Sequence, residues 1–252
     1  MCLIVFAWRV IPGLPLVACA NRDEFYDRPA TPAGPWPDAP HIIAGRDLRG
    51  GGSWMGVTKT GLNGPKFAAL TNIRSPDDRR TDAPTRGALV ADFLKGDLDA
   101  PAYLDRIAPD AHEYNGFNLI LGDAAGIYWF SNRAGADPRN GRALEPGIYG
   151  VSNGLLDAPW PKVVRTKATF ASLLLQGAPE EAYFEMLADT TRAPDMRLPD
   201  TGVPLDLERE LSAVCIEIPG YGTRTSTVVK VYADAEPELH ERVLKPGDQV
   251  TV

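Results

Sequence analysis

The feature that most limits what this chain can fold into lies at its start, where residues 2–25 read CLIVFAWRVIPGLPLVACANRDEF. An apolar, β-branched and aromatic run, a Pro-Gly turn and a second apolar run predict a β-hairpin. With the turn centred on Pro12-Gly13, Cys2 faces a residue between Asn21 and Glu24. The hairpin therefore delivers a thiol to the tetrad Asn21-Arg22-Asp23-Glu24, where apolar sequence gives way to one amide and three charges. The following Phe25, Tyr26, Asp27, Arg28 and Pro29 alternate aromatic and charged groups, which suits a pocket wall better than a fully solvated loop. An Arg and an Asp at a buried strand end can hold each other and the chain start by charge-assisted hydrogen bonds.

Further strands are expected at 41–45, 53–58, 67–71, 116–123, 126–132, 147–152, 213–218 and 225–232. Helices are expected at 86–94, 102–107, 161–175 and 179–188. Strands, helices, strands, helices, strands in that order suit antiparallel sheets covered by helices, and 252 residues with 44% hydrophobic content suffice for one α+β domain over 1–252. Gly50-Gly51-Gly52 permits close backbone approach, either beside a ligand or in a tight strand connection.

A net charge of −7 provides no basic face for nucleic acid. Three cysteines without C-x-x-C spacing, and three scattered histidines, indicate no disulfide framework, metal site or c-type haem attachment. A reducing, cytoplasmic compartment follows from the cysteines. No run reaches the roughly 18 apolar residues of a spanning helix, so no transmembrane segment is expected.

Cys2 follows the initiator methionine. Removal of Met1 would leave a free α-amine able to act as base for the Cys2 thiol, and Arg22 is the cation that favours the thiolate. The bland alternative is a small buried strand residue. Polar residues also end other apolar strands: Asn72 and Arg74 after FAAL, Ser152 and Asn153 after IYGV, and Arg224 before TVVKVY. Amides at strand ends can stabilise an oxyanion and arginines can hold a carboxylate. Trp160-Pro161-Lys162 begins a helix. Lys162, Arg165 and Lys167 read first as a solvated helix face, with an anionic head group as their other use.

Eight ordered stretches, MCLIVFAW, ANRDEFYDRPA, AGRDLRGGGSWMGVTKTG, AALTNIR, GFNLILGD, YGVSNGLLDAPWPK, LPDTGV and YGTRTSTVV, resemble the NRDE family, that of transport and Golgi organisation protein 2. The resemblance implies a fold similar to the N-terminal-nucleophile hydrolases, a four-layer αββα sandwich of two stacked antiparallel sheets. By analogy with the cysteine branch of that superfamily, the catalytic positions would be Cys2, Arg22, Asp23, Asn153 and Arg224. Ligand contacts are expected from Asn21, Glu24, Arg28, Trp54, Asn72, Arg74, Ser152, Trp160 and Lys162. The family resemblance implies intracellular haem trafficking: binding and transfer of haem or a related amphipathic anion as the small-molecule ligand, with no cofactor required. The superfamily resemblance implies instead an N-terminal-cysteine amidohydrolase cleaving a small linear or cyclic amide at a non-peptide C–N bond.

Overall fold

A computed structural model describes residues 2–61, 64–76 and 79–244. Met1, whose removal would free the Cys2 α-amine, lies outside them. The strands are β1 (Cys2–Ile11), β2 (Leu14–Phe25), β3 (Ala30–Trp36), β4 (Ala39–Asp47), β5 (Met55–Thr58), β6 (Phe67–Asn72), β7 (Phe117–Gly122), β8 (Ile127–Ser131), β9 (Arg142–Ala143), β10 (Gly147–Val151), β11 (Glu217–Ile218), β12 (Tyr221–Val231) and β13 (Glu238–Val243). The α-helices are α1 (Gly87–Lys95), α2 (Ala100–Ile107), α3 (Pro161–Leu175), α4 (Glu180–Leu187) and α5 (Leu205–Leu211).

Among the described residues the strands form two antiparallel sheets. The first runs β10-β1-β2-β12-β11, with β13 also on β12; the second runs β3 to β9 in chain order. Alternation along the hairpin determines which layer each residue meets. Ile4, Phe6, Ala18 and Ala20 join Val57, Phe67, Ile120 and Trp129 of the second sheet in a core between the sheets. Val5, Ala7, Val17 and Cys19 face the other way and pack on Phe170 and Leu174 of α3 and Tyr183, Phe184 and Leu187 of α4. The outer face of the second sheet buries Leu119 and Leu121 against Leu89, Val90 and Phe93 of α1 and Leu104 of α2. The chain is thus a helix–sheet–sheet–helix sandwich, the four-layer α+β architecture expected above.

Cys2 pairs with Arg22, inside the expected window, and β2 continues as strand through the whole tetrad to Phe25. The α3 boundaries agree with expectation at both ends, where Pro161 in the first turn needs no N–H partner. Four elements were not anticipated, the first being the two-residue β9. β3 contains Pro32, Gly34 and Pro35 and lies at the edge of its sheet, where a missing N–H is tolerated. β13 carries Glu238, Glu241 and Arg242 at another edge, and α5 is short and charge-rich. The strand expected at 213–218 is shortened to Glu217–Ile218, and Ala213–Ile216 is buried outside any strand. Gly52 belongs to a close approach: a Cβ there would stand 2.2 Å from the Gly87 carbonyl carbon at the start of α1.

Candidate functional site

Three strand ends converge where β1 begins. β2 pairs with β12 as well as β1, with Asn21 opposite Ser226 and Arg22 opposite Thr225. β10 pairs with the other edge of β1, so the segment after it carries Ser152 and Asn153 to the same end. Ser152 Oγ donates to the Cys2 carbonyl at 2.9 Å. Asn153 Nδ2 donates to Asn72 O at 2.7 Å, and the Arg74 amide donates to Asn153 O at 2.9 Å. These two hydrogen bonds tie the end of β6, in the second sheet, to the first.

The tetrad divides by strand parity. Asn21 and Asp23 face the helices. Asn21 donates to Leu187 O and Val214 O at 2.8 and 3.0 Å and accepts from Ser226 Oγ at 2.7 Å, so its amide closes the sheet against the helical layer. Asp23 accepts from Thr223 Oγ1 at 2.7 Å, and burial raises its pKa against the opposing pull of Lys162, Thr223 and Arg74. Arg22 and Glu24 face the second sheet. Arg22 lies 4.3 Å over the Trp54 ring and 3.3 Å from Asp47 Oδ2, while Arg28 reaches the same oxygen at 2.6 Å. Glu24 approaches Arg28 to 3.7 Å and Arg22 to 3.9 Å.

Cys2 is partly exposed. Burial of its thiol pushes the pKa up, the Asp23 charge adds to that, and the Asp23 backbone N–H and the Arg22 charge oppose it. Arg86, at the start of α1, donates to Gly116 O at 2.9 Å. Burial lowers its pKa to about 10, with the Cys2 and Glu24 charges opposing the fall and Arg79 and Arg28 adding to it.

Behind Asp23 lies a second group of charges. Arg74 and Glu208 pair at 2.5 Å, both almost fully buried, and Arg74 stands 5.2 Å over the Trp160 ring. Lys162, 1% exposed, donates to Leu211 O at 2.9 Å, and burial lowers its pKa to about 8. Tyr221 is pushed upward by burial and by the charges of Asp23 and Cys2.

Sequence reading therefore located most of the cluster and misplaced two members. Lys162 is interior, not on a solvated helix face, because the first turn of α3 presses it onto the end of α5. Arg224 turns away: a bulge between Thr223 and Thr225 displaces it, and its guanidinium donates to Phe25 O and Arg28 O at 2.8 and 3.2 Å. Asp47, Arg86, Glu208 and Tyr221 were missed. Only Asp47, followed by Leu48, Arg49 and the glycine run, carried a usable signal. Among the described residues no three His, Cys, Asp or Glu side chains cluster as metal ligands, and no helix is long and apolar enough to cross a membrane.

The architecture is that of an α+β sandwich with polar strand ends gathered around a cysteine. Residues 1–246 match the family described as Transport and Golgi organisation 2, and the chain belongs to that family. It is 36% identical over 269 residues to the Transport and Golgi organization protein 2 homologs of Bos taurus and Homo sapiens, covering 98% of this chain and 95% of each relative. The Drosophila melanogaster Transport and Golgi organization protein 2 is 31% identical over 271 residues, covering 95% of this chain and 90% of that one.

Proposed function

We propose that this protein binds and hands on a small amphipathic anion beside Cys2, haem being the ligand that the family resemblance implies. The observation carrying this reading is the set of arginines around the polar strand ends. Arg22 and Arg28 pair with the two carboxylates Asp47 and Glu24, and among the described residues Arg86 has its one hydrogen bond on the Gly116 carbonyl. A partly desolvated guanidinium with donors to spare suits a carboxylate ligand. Haem titration followed at the Soret band tests this, with transfer to an apo-haem protein as the second readout. Arg86→Gln should weaken binding about tenfold, the loss of one charged hydrogen bond. An unchanged Soret band and no extraction from a haem-loaded donor would sink the reading.

A second reading, N-terminal-cysteine amide hydrolysis, is favoured by the Cys2–Arg22 pair with the Asp23 N–H on the sulfur. The thiolate would attack the amide carbon, and Asn153, one N–H of which is used on Asn72, would help hold the oxyanion. Cys2→Ala should abolish turnover of a small linear or cyclic amide. Full turnover by protein of which the intact mass still includes Met1 would exclude an α-amine base.

A further inference from the structure

The two carboxylates that pair with Arg22 and Arg28 are held unequally. Asp47 Oδ1 accepts from the Arg49 and Gly50 amides at 3.0 and 2.7 Å, and its Oδ2 takes Arg28 at 2.6 Å and Arg22 at 3.3 Å, so that four donors fix this side chain. Glu24 accepts one hydrogen bond among the described residues, on Oε1, from the amide of its own neighbour Phe25 at 2.9 Å. Its Oε2 stands 3.7 Å from Arg28 Nε and 3.9 Å from Arg22, within ion-pair range and beyond hydrogen-bond reach. Glu24 is also 23% exposed where Arg22 is 5% exposed. Moving Glu24 into solvent therefore costs little, because an exposed pair of this kind is weak and water replaces the Phe25 amide; moving Asp47 would break four contacts at once. Around this pair Arg86 adds a third guanidinium, with Arg79 acting on it, Asp27 acting on Arg28, and Glu241 of β13 feeling the Arg22 charge. With Glu24 in place Arg22 and Arg28 are matched one for one by carboxylates, and with Glu24 swung out they carry one unmatched positive charge.

We propose that Glu24 is an internal stand-in for the ligand: in the free protein its carboxylate occupies the place beside Arg22 and Arg28 that a ligand carboxylate takes, and it swings into solvent when the ligand is held. The inference rests on the binding reading above and concerns the regulation of that same site. One carboxylate replaces another, so the charge around the two arginines is the same before and after the exchange. A ligand carboxylate that approaches either guanidinium closely gains a charge-assisted hydrogen bond that Glu24 does not make. Glu24 nevertheless remains tethered beside the place it left, at high effective concentration, and its return shortens the ligand's stay. A built-in competitor of this kind suits a protein that hands its ligand on.

The test uses the full-length protein and haem as the probe, with affinity read from the Soret band and release from transfer to an apo-haem protein. Glu24→Gln should bind haem about tenfold more tightly than wild type, the worth of one charged contact no longer contested. Most of the gain should lie in slower release. Glu24→Asp keeps the charge and is one methylene too short to hold both ion-pair distances, so it separates occupation of the place from a negative charge nearby; it should bind more tightly than wild type as well. Haem dimethyl ester brings no carboxylate, and wild type and Glu24→Gln should treat it alike. An aspartate variant that stays at the wild-type affinity beside a tightened glutamine variant overturns the proposal, and so does an equal gain on the ester. A wild type that takes up no haem removes the binding reading together with the inference, whereas a wild type that binds haem, with both variants binding no more tightly, removes the inference alone.

Discussion

Among the described residues two lysines are buried, and they are buried differently. Lys66, 8% exposed, spends its three donors on the carbonyls of Phe93, Gly96 and Leu98 at 3.2, 2.6 and 2.7 Å, closing the end of α1 that lacks its own partners. Lys162 is more deeply buried, has one carbonyl, and stands among ionised and ionisable side chains. The first is a C-terminal cap for α1 supplied from outside the helix, by the residue just before β6. The second is a charge whose protonation is left adjustable. A buried ammonium is thus read by what its hydrogens meet, not by how little of it is exposed.

The largest effect expected is at the partner that keeps the Lys162 cluster neutral. Glu208→Ala should destabilise the protein by about 4 kcal/mol in urea unfolding, since it leaves Arg74 buried without its carboxylate. A loss under 1 kcal/mol would mean that the cluster is wetter than the geometry indicates.

Next is the pH dependence. The folded Lys162 value is depressed to about 8 from the ordinary 10.5, so between these two the unfolded chain holds a proton that the folded one has released. Stability contributed by this residue therefore rises with pH across that window, by on the order of 3 kcal/mol. The stability of wild type relative to Lys162→Met should rise accordingly from pH 8 to 10.5. A flat difference would mean that Lys162 keeps its proton across that window.

Lys66→Met should cost about 2 kcal/mol in urea unfolding, the penalty of stranded carbonyls. A negligible cost would break the division between the two lysines. The smallest effect, about 1 kcal/mol, is expected for Asp99→Ala, which removes the acceptor of the Ala102 amide at the start of α2 and one of the charges supporting Lys66. Thermal unfolding should register it as a shift of a few degrees.

The same contrast explains what could be read from sequence. The hairpin was legible because a Pro-Gly turn between two apolar runs leaves little freedom of register, and this alone paired Cys2 with the tetrad. The ends of α3 were legible from Trp160-Pro161 and a continuous apolar stripe. Lys162 was misread because local sequence shows Lys162, Arg165 and Lys167 at helical spacing, and only α5, distant in the chain, converts one of them into an interior residue. Glu208 was invisible for the same reason: LDLEREL reads as a solvated helix until Arg74 and Thr201 are brought to it. The contacts of Arg224 with Phe25 O and Arg28 O were not legible because a bulge inverts side-chain direction without any mark in composition. β3 was hidden by its prolines, which are acceptable only because that strand has one neighbour.

The continuous strand through Asn21-Arg22-Asp23-Glu24 gives this motif a combinatorial grammar. Neighbours in the chain project into different layers, whereas alternate residues share one: Asn21 and Asp23 meet β12 hydroxyls and the helical side, while Arg22 meets both Glu24 and Asp47. Substitutions should therefore be additive between adjacent letters and coupled between alternate ones, Arg22 with Glu24 most directly. A four-letter signature in one dimension is, energetically, two interleaved two-letter words.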